Sequence, residues 1–177
     1  MRPEEIRRAA AAEAPKHGRL IRSARGGARL SAVMLPFLRV WAPPGYCVLT
    51  YRGRKTGRVR RKCLRAVRDQ RRVYLLMLRP PALAAQRPDV VAAWVHNVRA
   101  NPRVSVRLGL RTLTGVVRDV TEPAERAAAE AALCGRVHLM DYGECDLHMR
   151  GLPTRAKIEA MHRYWFDTGI PLVIDLD

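Results

Sequence analysis

At 177 residues the chain is one domain by size, long enough to enclose a single core, and a 48% hydrophobic content excludes wholesale disorder. A formal net charge of +17, from 33 Lys and Arg against 16 Asp and Glu, calls for an anionic partner: nucleic acid, anionic lipid or a polyanionic small molecule. Four scattered cysteines exclude a disulfide scaffold, no signal peptide is visible, and a cytoplasmic location is expected.

Residues 1–40 form a basic, partly helical N-terminal extension. Glu4 to Ala14 reads as an Ala-rich helix, and Gly26-Gly27 is expected to break helical structure. Leu30 to Trp41 is apolar between arginines but interrupted by Pro36 and Arg39, well short of the roughly 20 residues of a membrane span. It is a candidate for peripheral association with an anionic membrane, inserting Met34, Leu35, Phe37, Leu38 and Trp41; the alternative is packing on its own domain.

Residues 41–177 change texture to β. Tyr46–Tyr51, Lys62–Arg68 and Arg72–Leu78 read as strands, the last ended by Pro80-Pro81. Pro88 marks an expected helix start, and Trp94, Val95 and Val98 recur at helical spacing before Asn101-Pro102 stops them. Arg103–Leu108 and Thr112–Val120 form a hairpin around Gly109, and Thr121-Glu-Pro123 opens a helix closed by Gly135. Val137 to Gly151 gives no clear period. A helix from Thr154 to Phe166 and a strand from Ile170 to Leu176 follow. The sum is an α+β barrel with helices around it.

Between the first two strands lies Tyr51-Arg-Gly-Arg-Lys-Thr-Gly-Arg-Val-Arg-Arg-Lys62. Gly53 and Gly57 frame Arg54, Lys55 and Thr56, with Arg60 close behind. A glycine turn lets the backbone approach a ligand, and guanidinium groups beside it fork onto phosphate or carboxylate. Alone, the segment is equally a basic turn in water.

The second segment is Trp94-Val-His-Asn97-Val-Arg-Ala-Asn-Pro102, followed by the alternating hairpin. Together and in this order the two segments resemble the deazaflavin (coenzyme F420)-dependent nitroreductase family, over about residues 45–130. The resemblance implies a split β-barrel and an oxidoreductase that passes hydride from reduced F420 to a quinone, nitro compound or activated alkene. It implies a cofactor site of Arg54, Lys55, Thr56, Gly57 and Arg60 for the polyanionic tail, with Cys63, Trp94 and Asn97 nearer the ring. FMN, or no cofactor, is the alternative. Where the family carries Thr-Pro this chain has Lys62-Cys63, and where it carries a small Gly/Ser-rich loop this chain has Leu78-Arg79-Pro80-Pro81, leaving Arg79 to supply charge. Tyr142 and Tyr164 are the candidate proton donors to a reduced substrate.

Cys134, His138, Cys145 and His148 present four zinc-ligand types at irregular spacing; ordinary buried cysteines are the expectation, with no metal. Asp141, Glu144 and Asp146 form an acidic patch suited to pairing with arginine. Two rival functions remain: a non-catalytic split barrel holding a lipid or haem, and a nucleic-acid-binding module. The second lacks aromatics among its arginines, since aromatic residues total 6%.

Overall fold

The computed structural model describes residues 1–17 and 24–177, the second segment with side chains from residue 29. Six strands are present: β1 (Tyr46–Arg52), β2 (Val59–Asp69), β3 (Arg72–Met77), β4 (Arg103–Leu108), β5 (Arg111–Asp119) and β6 (Ile170–Leu176). All pairings are antiparallel, and the strands close into a barrel in the order β1-β2-β3-β6-β5-β4. Helices flank it: α1 (Pro3–Glu13), α2 (Ala24–Val40), α3 (Pro81–Gln86), α4 (Ala93–Ala100), α5 (Pro123–Cys134), α6 (Leu139–His148) and α7 (Arg155–Thr168). This is the α+β split barrel expected.

Two apolar layers share the sheet. Inside the barrel, Cys47, Leu49 and Tyr51 of β1 meet Leu64, Val73, Leu75, Val106, Leu172 and Ile174 at the period-2 spacing of strands. Outside, Tyr74, Leu76 and Val173 face Leu133, Ile158, Met161 and Trp165 of the helices. Strands β3 and β6 are therefore buried on both faces, which is why their sequences are continuous apolar runs. One barrel end is plugged by α4, whose Trp94, Val95 and Val98 join the interior cluster. The same end carries the β1–β2 turn and the exit of β3, by strand direction.

The barrel is split beside β2. That strand pairs with β1 from Val59 to Arg65 and beyond, but its ladder with β3 runs only from Ala66 to Asp69. Residues 59–65 thus leave one edge of β2 without a β3 partner, and α2 packs along β2. The Cys63 N–H donates to Ser31 Oγ at 3.1 Å, and the Cys63 thiol donates to the Ser31 carbonyl at 3.6 Å. A backbone group that the sheet leaves unpaired is satisfied by the helix instead.

Several sequence expectations need correction. Gly26-Gly27 does not break the extension but lies in the opening turns of α2, where several N–H groups lack intrahelical acceptors anyway. Val137 to Gly151 contains a ten-residue helix, α6, hidden by Gly143 and by apolar residues that face both ways. The helix expected at Pro88 begins at Ala93, and Pro80-Pro81 starts α3 as well as ending β3. Helix α1 packs against α3 through Ile6, Ala10 and Ala84. No helix among the described residues is long and apolar enough to cross a membrane.

Candidate active site

The β1–β2 turn is closed by two backbone bonds: Gly57 N–H to Gly53 O at 2.8 Å and Gly53 N–H to Arg58 O at 2.9 Å. Gly57 sits at φ +63°, in the left-handed region that suits glycine. Gly53 contributes in another way. A Cβ there would stand 2.9 Å from Arg60 Nε and 3.2 Å from Thr56 Oγ1. The guanidinium and the hydroxyl therefore converge over a patch of bare backbone.

The turn is anchored to α4. Arg54 N–H donates to Asn97 Oδ1 at 3.1 Å, so the two sequence segments, 43 residues apart, touch. Asn97 sits one turn along α4 from Trp94, which is 4% exposed in the barrel core. Trp94 thus locks α4 into the barrel mouth, and Asn97 holds the turn in register with it.

Charge is distributed unevenly. Arg54, Lys55, Arg58, Arg60 and Arg61 are exposed, and among the described residues none of them forms an ion pair. Across β3, β4, β5 and β6 the opposite holds. Arg118 grips Glu125 at 2.6 Å and Asp175 at 2.7 Å, Arg72 reaches the same two carboxylates at 3.4 Å, and Arg103 binds Asp177 at 2.8 Å. The scarce acids are spent there, and the turn keeps its full positive charge.

The other sequence candidates are placed as follows. Cys63 is half-buried under α2, its N–H and thiol both engaged by Ser31, and burial raises its thiol pKa. Arg79 is buried, with Nη1 donating to Thr168 O at 2.6 Å and Nε to Val90 O at 3.3 Å. Its guanidinium ties the end of α7 to the segment before α4. Tyr164 is likewise a structural bolt: its hydroxyl donates to Arg79 O at 3.3 Å and burial pushes its pKa up to about 12. A phenol so held is a poor proton donor. Tyr142 is exposed on α6 and makes no hydrogen bond among the described residues. Cys134, His138, Cys145 and His148 do not converge. The Cys134 thiol donates to His162 O at 3.6 Å, while His148 lies edge-on to Trp165 with ring centroids 4.9 Å apart.

Two features escaped the sequence reading. Lys62 faces the barrel interior, a placement that strand alternation would have revealed once the register was known. The other is a buried polar knot around Arg65, on the outer face of β2. Its guanidinium donates to Asp141 Oδ1 at 2.6 Å, to Leu133 O at 3.0 Å and to His162 Nδ1 at 3.2 Å. Asp141 also accepts from His138 N–H at 2.7 Å and Tyr46 Oη at 3.3 Å, and the Tyr46 hydroxyl donates to Glu144. Burial opposes ionisation of Asp141, but the Arg65 charge and these hydrogen bonds outweigh it and leave its pKa lowered. Asp141 and Glu144 of the acidic patch thus face Arg65 inside the molecule, whereas Asp146 is exposed. Asp141, Glu144 and His162 place ligand atoms within 4.8 Å of one another, but the Arg65 cation already sits among them and supplies the balancing charge.

Among curated proteins nothing matches. Solved structures with a similar course of chain include an F420-H2 dependent reductase (19% identity, 73% of this chain and 93% of that one, TM-score 0.46). A domain-swapped dimer (20% identity, 88% and 100%, TM-score 0.48) and a heme binding protein from Mycobacterium smegmatis (14% identity, 78% and 49%, TM-score 0.45) are also similar. The model of one family, the F420H(2)-dependent quinone reductases, matches residues 39–142, a span that holds the glycine turn, the split and α4. The chain belongs to the F420H(2)-dependent quinone reductase family.

Proposed function

We propose that Arg54, Lys55, Thr56, Gly57 and Arg60 hold the charged tail of coenzyme F420, and that the split beside Cys63 receives its ring. By its family the chain is an F420-dependent oxidoreductase acting on a small molecule, and reduced F420, when bound, supplies the hydride. The observation that carries the site is the set of cations without acid partners around bare backbone at Gly53, pinned to α4 by Asn97. A tail with a phosphodiester and several carboxylates suits such a surface, because charge-assisted bonds to Arg are strong and forked. Cys63 and, across the split, Ser31 are the residues that would meet the ring. Nothing more than positioning and exclusion of water is asked of the protein for the hydride itself.

The acceptor in this reading is a quinone, and a lipid surface is where it is met. Val33, Phe37, Val40 and Trp41 form an exposed row on and just past α2, 53–70% accessible. Gly109 pairs with Ala42, which brings the exposed Leu110 beside that row, and Arg39 and Arg111 are exposed near its ends. An amphipathic helix of this kind lies on anionic headgroups with its apolar row inserted. Of the five residues expected to insert, Phe37 and Trp41 point outward, whereas Leu38 is 5% exposed and packs inward.

Titrating F420 with the purified protein tests the tail site: saturable quenching of its fluorescence at micromolar protein is expected, weakening as salt rises. Menadione-dependent oxidation of reduced F420 tests the reaction. Co-sedimentation with phosphatidylglycerol vesicles, lost in Phe37→Glu and absent with phosphatidylcholine, tests the membrane surface.

A further inference from the structure

Lys62 stands directly opposite Leu49 in the β1–β2 ladder. Residues so opposed share a face, and Leu49 is in the barrel interior, as is Leu64 two residues further on. The Lys62 side chain therefore starts into the barrel mouth, between the exposed Arg60 and the buried Leu64. It is half-buried and, among the described residues, has neither an ion pair nor a hydrogen bond. Two other lysines are settled: Lys16 binds Glu13 at 2.7 Å, and Lys157 binds the carbonyls of Arg150 and Leu152 at 3.0 Å. Lys55 lies in water on the turn. Its stem is half-buried along the barrel mouth while the ammonium keeps its contact with water, so it is free to meet a ligand that enters there.

We propose that Lys62 is the proton donor of the quinone reduction, its ammonium taking up the oxyanion that hydride arrival creates. This rests on the F420-dependent reading above. Hydride brings two electrons and one hydrogen to the quinone and leaves a hydroquinone monoanion. An N–H bond of Lys62 then breaks as an O–H bond forms on that oxygen, giving the neutral hydroquinone. The neutral amine regains its proton from water at the open mouth.

The neighbouring groups argue for lysine. Tyr51 and Arg60, opposed in the same ladder, share its face; Arg61 and Cys63 flank it on β2, Arg79 follows β3, and Arg29 precedes Ser31 on α2. An arginine does not release its proton. Tyr51 is made a weaker acid by burial. Burial acts in the opposite direction on Lys62, lowering its pKa toward the range useful for proton donation.

Only four lysines occur in the chain, so each is read separately by competitive acetylation with acetic anhydride across pH, followed by peptide mass spectrometry. In the wild type, Lys62 should titrate below a free lysine model peptide added to the same reaction and be protected several-fold by saturating F420 with menadione. Lys62→Met and Lys62→Arg should each lose at least tenfold in kcat for menadione, with F420 affinity changed less than threefold. In the wild type the rate should fall as pH rises through the lysine's pKa, and that alkaline limb should vanish in Lys62→Met. Failure of the arginine variant to rescue separates proton donation from a merely electrostatic role. Titration of Lys62 together with that free peptide, or a wild-type pH profile in Lys62→Met with F420 bound normally, overturns the assignment. Absence of F420 binding by the wild type instead overturns the reading on which it rests.

Discussion

The arginines of this molecule live in two different environments. On β5, on α4 and at Arg65 of β2 they are neutralised: Arg118 by Glu125 and Asp175, Arg99 by Asp119 at 2.7 Å, Arg65 by Asp141 within the core. On the β1–β2 turn they stand together without acids, over glycine backbone. Net charge alone cannot distinguish these environments. The unpaired cluster repels itself and gains nothing for the fold, which is why the proposed reading gives it a ligand. The paired sets hold the structure, and substitutions should divide accordingly: paired arginines move stability, turn cations move binding.

The largest effect is expected at the buried pair. Arg65→Ala strands the Asp141 carboxylate among Tyr46, Glu144 and His138, and should destabilise the fold by about 3–5 kcal/mol in urea unfolding. An Arg65→Ala protein that unfolds like the wild type would erase the contrast.

Acid should reach the same layer next. Burial is the main cause that lowers His148 to about 4 and His162 to about 3. Both folded-state values lie below the unfolded value, so the unfolded chain binds protons more readily. Their stabilisation is complete above about pH 6.5 and is lost as pH falls toward 4 and then 3, with ceilings of roughly 3 kcal/mol for His148 and roughly 5 kcal/mol for His162. Thermal melts between pH 7 and 4 should show the fall, and His148→Gln should flatten part of it.

The turn should respond differently. Gly53→Ala puts a methyl group against Arg60 and Thr56 and should weaken F420 binding about tenfold, roughly 1.4 kcal/mol, with little change in melting temperature. Smallest of all, Arg155→Ala removes an exposed pair with Glu159 and should change stability by less than about 0.5 kcal/mol, with no effect on binding.

Legibility in the sequence followed the range of the determining interactions. The turn and α4 were legible because each is specified locally, by glycines and by helical spacing, and each packs where its own residues demand. The strands were legible from alternation, and β3 and β6 from their unbroken apolar runs. Arg65 was not, because a charged residue in a strand reads as solvent-facing until Asp141, 76 positions away, is folded against it. The packing of Arg79 was hidden for the same reason: its acceptors, Thr168 and Val90, are carbonyls, and backbone acceptors leave no trace in side-chain composition. Tyr164 looked chemically available only while its burial against Arg79 was unknown. Lys62 lacked a register until β1 and β2 were paired, since a shift of one residue would turn it outward.

The central claim is that the turn's bare cations serve a polyanionic cofactor. It is tested most directly by F420 fluorescence titration of the wild type, Lys55→Ala with Arg60→Ala, and Arg118→Ala at low and physiological salt. The account predicts saturable micromolar binding by the wild type and Arg118→Ala, and a loss of at least tenfold together with a weaker salt dependence in the turn variant. Equal binding by all three proteins would contradict it.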